Sequence, residues 1–299
     1  MLKEKGVYKM LKVKCPAKIN LTLDVLGLTE KNYHKVEMIM QTVSLYDEIT
    51  AEKSDKSGIF LKTNLPYVPC DIRNSAYKAA KYFYEYTNFE PAIRISMHKK
   101  IPVSAGLAGG STNAAGVLLA LNKLYETNLT NKELLSLCGK IGADVSFCLR
   151  GGTVLASGIG EVLTPIKPLM NCYIVLAKPT VPLSTQKVYK QLDSFEILKH
   201  PDTKEMIRCI ENNDLKGICN NLYNVMEVAS VALCPKIANY KDIMNSAHPL
   251  GCVMSGSGPT VFAIFDDEED ARRLCMTMKD FTKDAFVASP CSGPLLVNC

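Results

Sequence analysis

An α+β fold in two parts is predicted for this chain on three observations. Short alternating strands and amphipathic helices are interleaved along all 299 residues, the pattern of helices layered on an antiparallel sheet. The length is about twice the ~150 residues of a usual domain. Composition shifts at Pro165, Lys167 and Pro168, which divides the chain into parts 1–165 and 166–299.

Hydrophobic residues make up 47% and charged residues 22%, which supports a core and excludes a disordered or fibrous chain. The net charge is only +5. Lys3, Lys5, Lys9, Lys12 and Lys14 crowd the start without interleaved aromatics, reading as a solvated strand edge and not as a nucleic-acid arm. The 12 cysteines include no C-x-x-C pair, and His34, His98, His200 and His248 are far apart. Neither a zinc site nor a disulfide scaffold is therefore expected. No apolar signal segment opens the chain, and no apolar run reaches about 18 residues. The expectation is a cytoplasmic protein, monomer or homodimer, with no membrane or nucleic-acid partner.

Taking the elements in order, Ile19, Leu21, Leu23 and Val25 alternate with Lys18, Asn20, Thr22 and Asp24, predicting a half-buried strand. Lys18, Asn20 and Thr22 then share one face, either turned to a ligand or forming a solvent-facing stripe. A polar turn at 28–32 leads through Tyr33 and His34 into a second strand carrying Val36, Met38 and Met40 and running to Asp47. Further β-structure at 59–62 is expected to close a mostly antiparallel sheet. Asn74 and Ser75 start a helix with Ala76, Ala79, Ala80 and Phe83 at helical spacing. Ile93, Ile95 and Met97 mark the next strand.

That strand feeds Pro102, Val103, Ser104, Ala105, Gly106, Leu107, Ala108, Gly109, Gly110, Ser111 and Thr112. A helix with an Ala114, Val117, Leu118, Leu121, Leu124 stripe follows. Three glycines within five residues let the backbone visit φ > 0 and approach a ligand, and the free N–H groups of a helix start hold anions. A phosphate site and a plain corner capped by Ser111 both fit these residues. Thr130 and Glu133 make a capping box for a helix with Leu134, Leu137 and Ile141 on its core face, ended by Gly142. Asp144 then suits either an N-cap for a short helix over 145–149 or a chemical role. Gly151 and Gly152 turn into a strand at 153–157.

In the second part, strands are expected at 173–177, 252–254, 260–265 and 285–288. Helices are expected at 185–192, 203–212, 220–233, 235–246 and 267–281. The turn Ser255-Gly256-Ser257-Gly258-Pro259 separates two of the strands.

Three glycine- and serine-rich elements thus stand in order: Pro16-Ala17-Lys18-Ile19-Asn20-Leu21, the stretch 102–115, and 251–262. In order and spacing this trio resembles the three motifs of the GHMP small-molecule kinases. Tyr33-His34, Ile141-Gly142-Ala143-Asp144-Val145 and Gly151-Gly152-Thr153 extend the resemblance over essentially the whole chain. It implies an N-terminal domain similar to ribosomal protein S5 domain 2 and a ferredoxin-like C-terminal domain, with the active site in the cleft between them. Within the superfamily it points to the branch whose substrate carries a cytidine diphosphate group. The implied reaction moves the γ-phosphate of ATP, accompanied by Mg²⁺, to the 2-hydroxyl of diphosphocytidyl methylerythritol.

Carried over to this sequence, the resemblance implies that Pro102 to Thr112 cradle the ATP phosphates, with Ser111 or Thr112 reaching magnesium or a phosphate oxygen. The stretch lacks the Gly-Lys-Ser/Thr ending of a P-loop, so the cation would come from Lys18. Asp144 would accept the substrate hydroxyl's proton or orient that hydroxyl. Asn20, Tyr33, His34, Thr185 and Tyr189 would bind the substrate, the two tyrosines by stacking on cytosine and His34 by hydrogen bonding to its edge. Gly256, Ser257 and Gly258 would add backbone support near the phosphates. This chain departs from the family pattern with Asn113 for Asp, Ser146 for Pro and Asn32 for Gly. Asn113 removes a carboxylate near the helix start, which would alter magnesium or phosphate handling. Two alternatives therefore stand beside the main one: a GHMP kinase for another small molecule, and a catalytically weak nucleotide-binding relative.

Overall fold

The computed structural model describes residues 10–169 and 171–298. Strands β1 (Met10–Leu28) and β2 (His34–Lys53) form a long antiparallel pair. Next come β3 (Gly58–Thr63), α1 (Ser75–Thr87) and β4 (Ala92–His98). Asn74 caps α1, its side chain accepting from the Ala76 N–H at 2.9 Å. Because α1 carries the chain back across the sheet, β3 runs parallel to β4. The strand expected at 59–62 thus ends a sheet that is mostly antiparallel, as expected, its own pairing being parallel because a helical crossover joins the two strands. Helices α2 (Gly109–Leu124), α3 (Asn131–Ile141) and α4 (Ala143–Arg150) lead to the hairpin of β5 (Thr153–Ser157) and β6 (Val162–Pro165), which joins β2.

The remaining elements are β7 (Tyr173–Ala177), α5 (Thr185–Leu192), α6 (Thr203–Glu211), α7 (Leu215–Asn220), β8 (Tyr223–Asn224), α8 (Glu227–Leu233), α9 (Lys236–Asn245), β9 (Gly251–Met254), β10 (Val261–Phe265), α10 (Glu268–Lys279), β11 (Ala285–Ala288) and β12 (Leu295–Asn298). A second, antiparallel sheet has the order β11-β7-β10-β9. Strands β8 and β12 leave it and pair with β1 in the first sheet. The helix expected over 220–233 is therefore broken. Asn224 accounts for the break: its Nδ2 donates to the carbonyls of Met254 and Gly256, each at 2.8 Å, and its Oδ1 accepts from Met226 N–H at 3.0 Å. These bonds hold the backbone extended before α8 begins.

The lysine-rich start is not a free edge where it is described, because β1 lies between β2 and β12. Lys12 pairs with Glu48 at 3.1 Å, while Lys3, Lys5 and Lys9 lie outside the described residues. Helices α1 to α4 cover one face of the first sheet, where Phe83, Leu118 and Phe147 join Val13, Ile49 and Ile95 in one core. On the other face Ile19, Leu21 and Ile39 share a second core with Ile174, Leu176 and Phe262 of the second sheet. Each such fully buried side chain contributes about 1.5–3 kcal/mol. No helix among the described residues is long and apolar enough to cross a membrane.

Register shifts at Pro16/Ala17 and Asn20/Thr22 change which layer each side chain meets. Ile19 and Leu21 enter the second core, whereas Leu23 and Val25 enter the first. The single apolar face expected for this strand is thus divided between two cores. Lys18, Asn20, Thr22 and Asp24 are at most 4% exposed, which removes the solvent-facing stripe and leaves polar groups buried beside the cleft.

Candidate active site

The glycine-rich stretch joins β4 to α2 along the wall of a cavity of about 730 Å³, within the usual range of a small-molecule site. Pro102 to Gly106 and Ala108 to Ser111 line it. Ser104, Gly106 and Ala108 all have positive φ, at 52°, 74° and 55°. Ala108 is the residue before α2, and no side chain caps that helix. The corner capped by Ser111 is therefore corrected, and among the described residues the N–H groups of Gly109, Gly110 and Ser111 remain free for a ligand. Ser111 is half-buried on the cavity wall. Thr112 is buried, is not on the cavity wall, and has its hydroxyl unpartnered among the described residues.

Two contacts fix the loop from outside. Lys18 N–H donates to the buried Leu107's carbonyl at 3.1 Å, and Ser255 Oγ donates to the Gly106 carbonyl at 3.1 Å. A Cβ on Gly106 would lie 2.2 Å from the Ser255 carbonyl oxygen, so glycine is needed for this approach. The 255–258 turn thereby meets the loop, and Gly256 and Ser257 line the same cavity.

Lys18 and Asp144 also line it. The Lys18 ammonium donates to Asn20 Oδ1 at 2.6 Å and has no carboxylate within 4 Å among the described residues. Asn20 lies fully buried behind it, its Nδ2 facing Met38 Sδ at 3.2 Å. It holds the lysine and does not itself line the cavity. Asp144 stands in the first turn of α4, whose N-cap is Gly142 without a side-chain capping bond, so the capping role weighed for Asp144 is not the one it plays. Its carboxylate makes no hydrogen bond or ion pair among the described residues. Neighbouring groups register its charge: burial and then Asp144 push the Tyr189 hydroxyl up to about 12, and both raise the Cys148 thiol.

Farther along the cleft, the His34 and Tyr189 rings stack with centroids 4.4 Å apart and planes 21° from parallel. His34 Nε2 is also 2.8 Å from Asp193 Oδ1. Tyr33 is 59% exposed and joins neither contact. Thr185 Oγ1 lies 2.8 Å from Ser257 Oγ, linking α5 to the phosphate-side turn. Asn32 has φ 60°, so asparagine sustains the left-handed turn in place of glycine. Asn113 points at Lys99 and Asp47, two residues that no sequence motif singled out. Asp193 was missed for the same reason: its partner His34 is 159 residues away.

Residues 74–152 match the family model of the GHMP kinases N terminal domain, and residues 206–281 that of the GHMP kinases C terminal. A Clostridium perfringens protein named 4-diphosphocytidyl-2-C-methyl-D-erythritol kinase is 48% identical over 90% of this chain and 93% of its own. A Clostridium botulinum protein of the same name is 46% identical over 92% and 98%. The crystal structure of a 4-(cytidine 5'-diphospho)-2C-methyl-D-erythritol kinase superposes with TM-score 0.79 at 29% identity, covering 94% of this chain and 100% of that one. A homoserine kinase from Cytophaga hutchinsonii shares the fold, with TM-score 0.79 at 22% identity and coverage of 99% and 100%. With both family models matched and close to half of its residues shared with these relatives, the chain belongs to the GHMP kinases, small-molecule kinases, in the group of the 4-diphosphocytidyl-2-C-methyl-D-erythritol kinases.

Proposed function

We propose that the protein transfers the γ-phosphoryl group of ATP to the 2-hydroxyl of 4-diphosphocytidyl-2-C-methyl-D-erythritol, in the cytoplasm. One observation carries this: among the described residues a carboxylate without a partner, Asp144, and an ammonium without a carboxylate partner, Lys18, share one cavity with an uncapped helix start. In the transfer the hydroxyl oxygen bonds to the γ-phosphorus as the bond to the β–γ bridging oxygen breaks, releasing ADP. Asp144 takes the hydroxyl's proton or orients that hydroxyl. Lys18 offsets charge on the phosphoryl oxygens, and the N–H groups of Gly109 to Ser111 hold the phosphates.

No group of three or more His, Cys, Asp or Glu able to hold a metal occurs among the described residues. The cavity wall offers the Ser111 hydroxyl and the Asp144 carboxylate, a set that fits Mg²⁺ carried in on the nucleotide's own oxygens. Such an ion would neutralise charge between the phosphates. Farther from the 255–258 turn His34, Tyr189 and Tyr33 would receive the cytidine part, with Thr185 contributing to the substrate site from beside Ser257.

The test is phosphoryl transfer by wild type, Asp144→Asn and Lys18→Ala. Each variant is expected to lose on the order of 10²–10⁴ in kcat while remaining folded. Equal activity in all three would remove both roles. Competition by CDP against the alcohol is expected, and its absence would instead favour a GHMP kinase with a different acceptor.

A further inference from the structure

We propose that Asp47 is a positioning residue for the nucleotide, fastening both ends of the glycine-rich loop through one buried carboxylate. The inference rests on ATP being the ligand of that loop. Asp47 lies in β2 and is fully buried. Its Oδ1 accepts from the N–H groups of Lys100 at 2.7 Å and Ile101 at 2.8 Å, where the chain leaves β4. Its Oδ2 accepts from Asn113 Nδ2 at 2.9 Å, in α2 just beyond the loop, and pairs with the Lys99 ammonium. Lys99 Nζ donates in turn to Asn113 Oδ1 at 2.7 Å. Asn113 and Lys99 are 2% and 8% exposed and line the cavity, whereas Asp47 does not.

Replacing a buried ion pair by well-packed apolar groups is often neutral or stabilising, so stability alone gives no reason for this arrangement. The loop supplies one. Ser104 and Ala108 adopt left-handed backbone without being glycine, and such residues persist only where the surroundings over-determine them. With the entrance held at Lys100 and Ile101 and the exit at Asn113, the intervening residues have fixed end points. The free N–H groups of Gly109 to Ser111 are thereby aimed before a phosphate arrives, which is where a binding site gains from preorganisation.

The experiment measures ADP and CDP binding by calorimetry for wild type, Asp47→Asn, Lys99→Met and Asn113→Ala, with circular dichroism to confirm folding. ADP affinity is expected to fall on the order of tenfold to a hundredfold, while CDP affinity stays within about twofold. Should Asp47→Asn fail to fold, Lys99→Met and Asn113→Ala perturb the same network and carry the comparison. Folded variants that bind ADP as wild type does would overturn the inference. So would equal losses for ADP and CDP, since a merely structural role weakens both sites alike. A wild type that binds ADP but transfers no phosphoryl group would refute the assigned reaction and leave this comparison intact.

Discussion

Gly106→Ala isolates the contact between the two parts of the protein. The added Cβ would lie 2.2 Å from the Ser255 carbonyl oxygen, 3.1 Å from Gly258 N and 3.2 Å from Gly258 O. All three are backbone atoms, so no side-chain rotation relieves the clash. A carbon and an oxygen pack no closer than about 3.3 Å, and the turn must therefore retreat by about 1 Å. Retreat breaks the bond from Ser255 Oγ to the Gly106 carbonyl, worth about 1 kcal/mol. A φ of +74° costs an alanine a further 1–2 kcal/mol or so. Together these give about 2–3 kcal/mol, or roughly 30- to 150-fold at 1.4 kcal/mol per decade. Chemical denaturation reads the part lost from global stability, and KM for ATP reads the part absorbed by a displaced loop. Gly139→Ala is the control: it is exposed in α3 with nothing within 4 Å of the added Cβ, and it is expected to gain up to about 1 kcal/mol from helix propensity. A Gly106→Ala protein with wild-type stability and unchanged KM for ATP would refute the claim that the second part shapes the loop.

Tyr189→Ala removes the ring stacked on His34 and is expected to raise KM for the cytidine-bearing alcohol by about tenfold, leaving KM for ATP unchanged; steady-state kinetics with each substrate varied decides it. Alkylation with iodoacetamide at pH 8 is expected to label exposed Cys70 while Cys138 and Cys172 stay unmodified, because burial pushes both of their thiols up to about 12 and the thiolate is the nucleophile. Peptide mass spectrometry would show the order of labelling. Thr130→Ala breaks the capping box and is expected to cost about 1 kcal/mol near neutral pH. Hydrogen bonds from Thr130 hold the Glu133 carboxyl below its ordinary 4.5; this contribution is present above that value and fades as pH falls through the lower folded one. The stability gap between wild type and variant is therefore expected to narrow in acid, as denaturation at several pH values would show.

What the sequence disclosed follows from the range of the interactions involved. The helix starts at Asn74 and Thr130 depend on side chains within three residues of the N–H groups they serve, so they were legible. The helix over 220–233 was not, because Asn224 answers to carbonyls 30 and 32 residues away. Bulges likewise leave no mark in an alternating pattern, so β1 read as having one apolar face when its apolar residues divide between two cores and Lys18, Asn20, Thr22 and Asp24 are buried as well. At the site, Lys18, Asp144 and the loop were found through their motifs. Asp47, Lys99 and Asp193 carry no motif, and their importance appears only when distant strands and helices are brought together.

Asn113 shows how the two kinds of information combine. From the motif alone, asparagine in place of aspartate looked like the loss of a carboxylate that serves magnesium or phosphate. In the structure the amide accepts from Lys99 with one atom and donates to Asp47 with the other. An aspartate could make only the first bond and would set a second negative charge against Asp47, with Lys99 between them. In a buried site two adjacent carboxylates resist joint ionisation, so one would take up a proton or the loop exit would move. Asparagine lets one lysine balance one aspartate while keeping both hydrogen bonds. The substitution is therefore suited to charge balance beneath the loop, and Asp144, elsewhere on the wall of the same cavity, is the carboxylate there with no hydrogen bond or ion pair among the described residues.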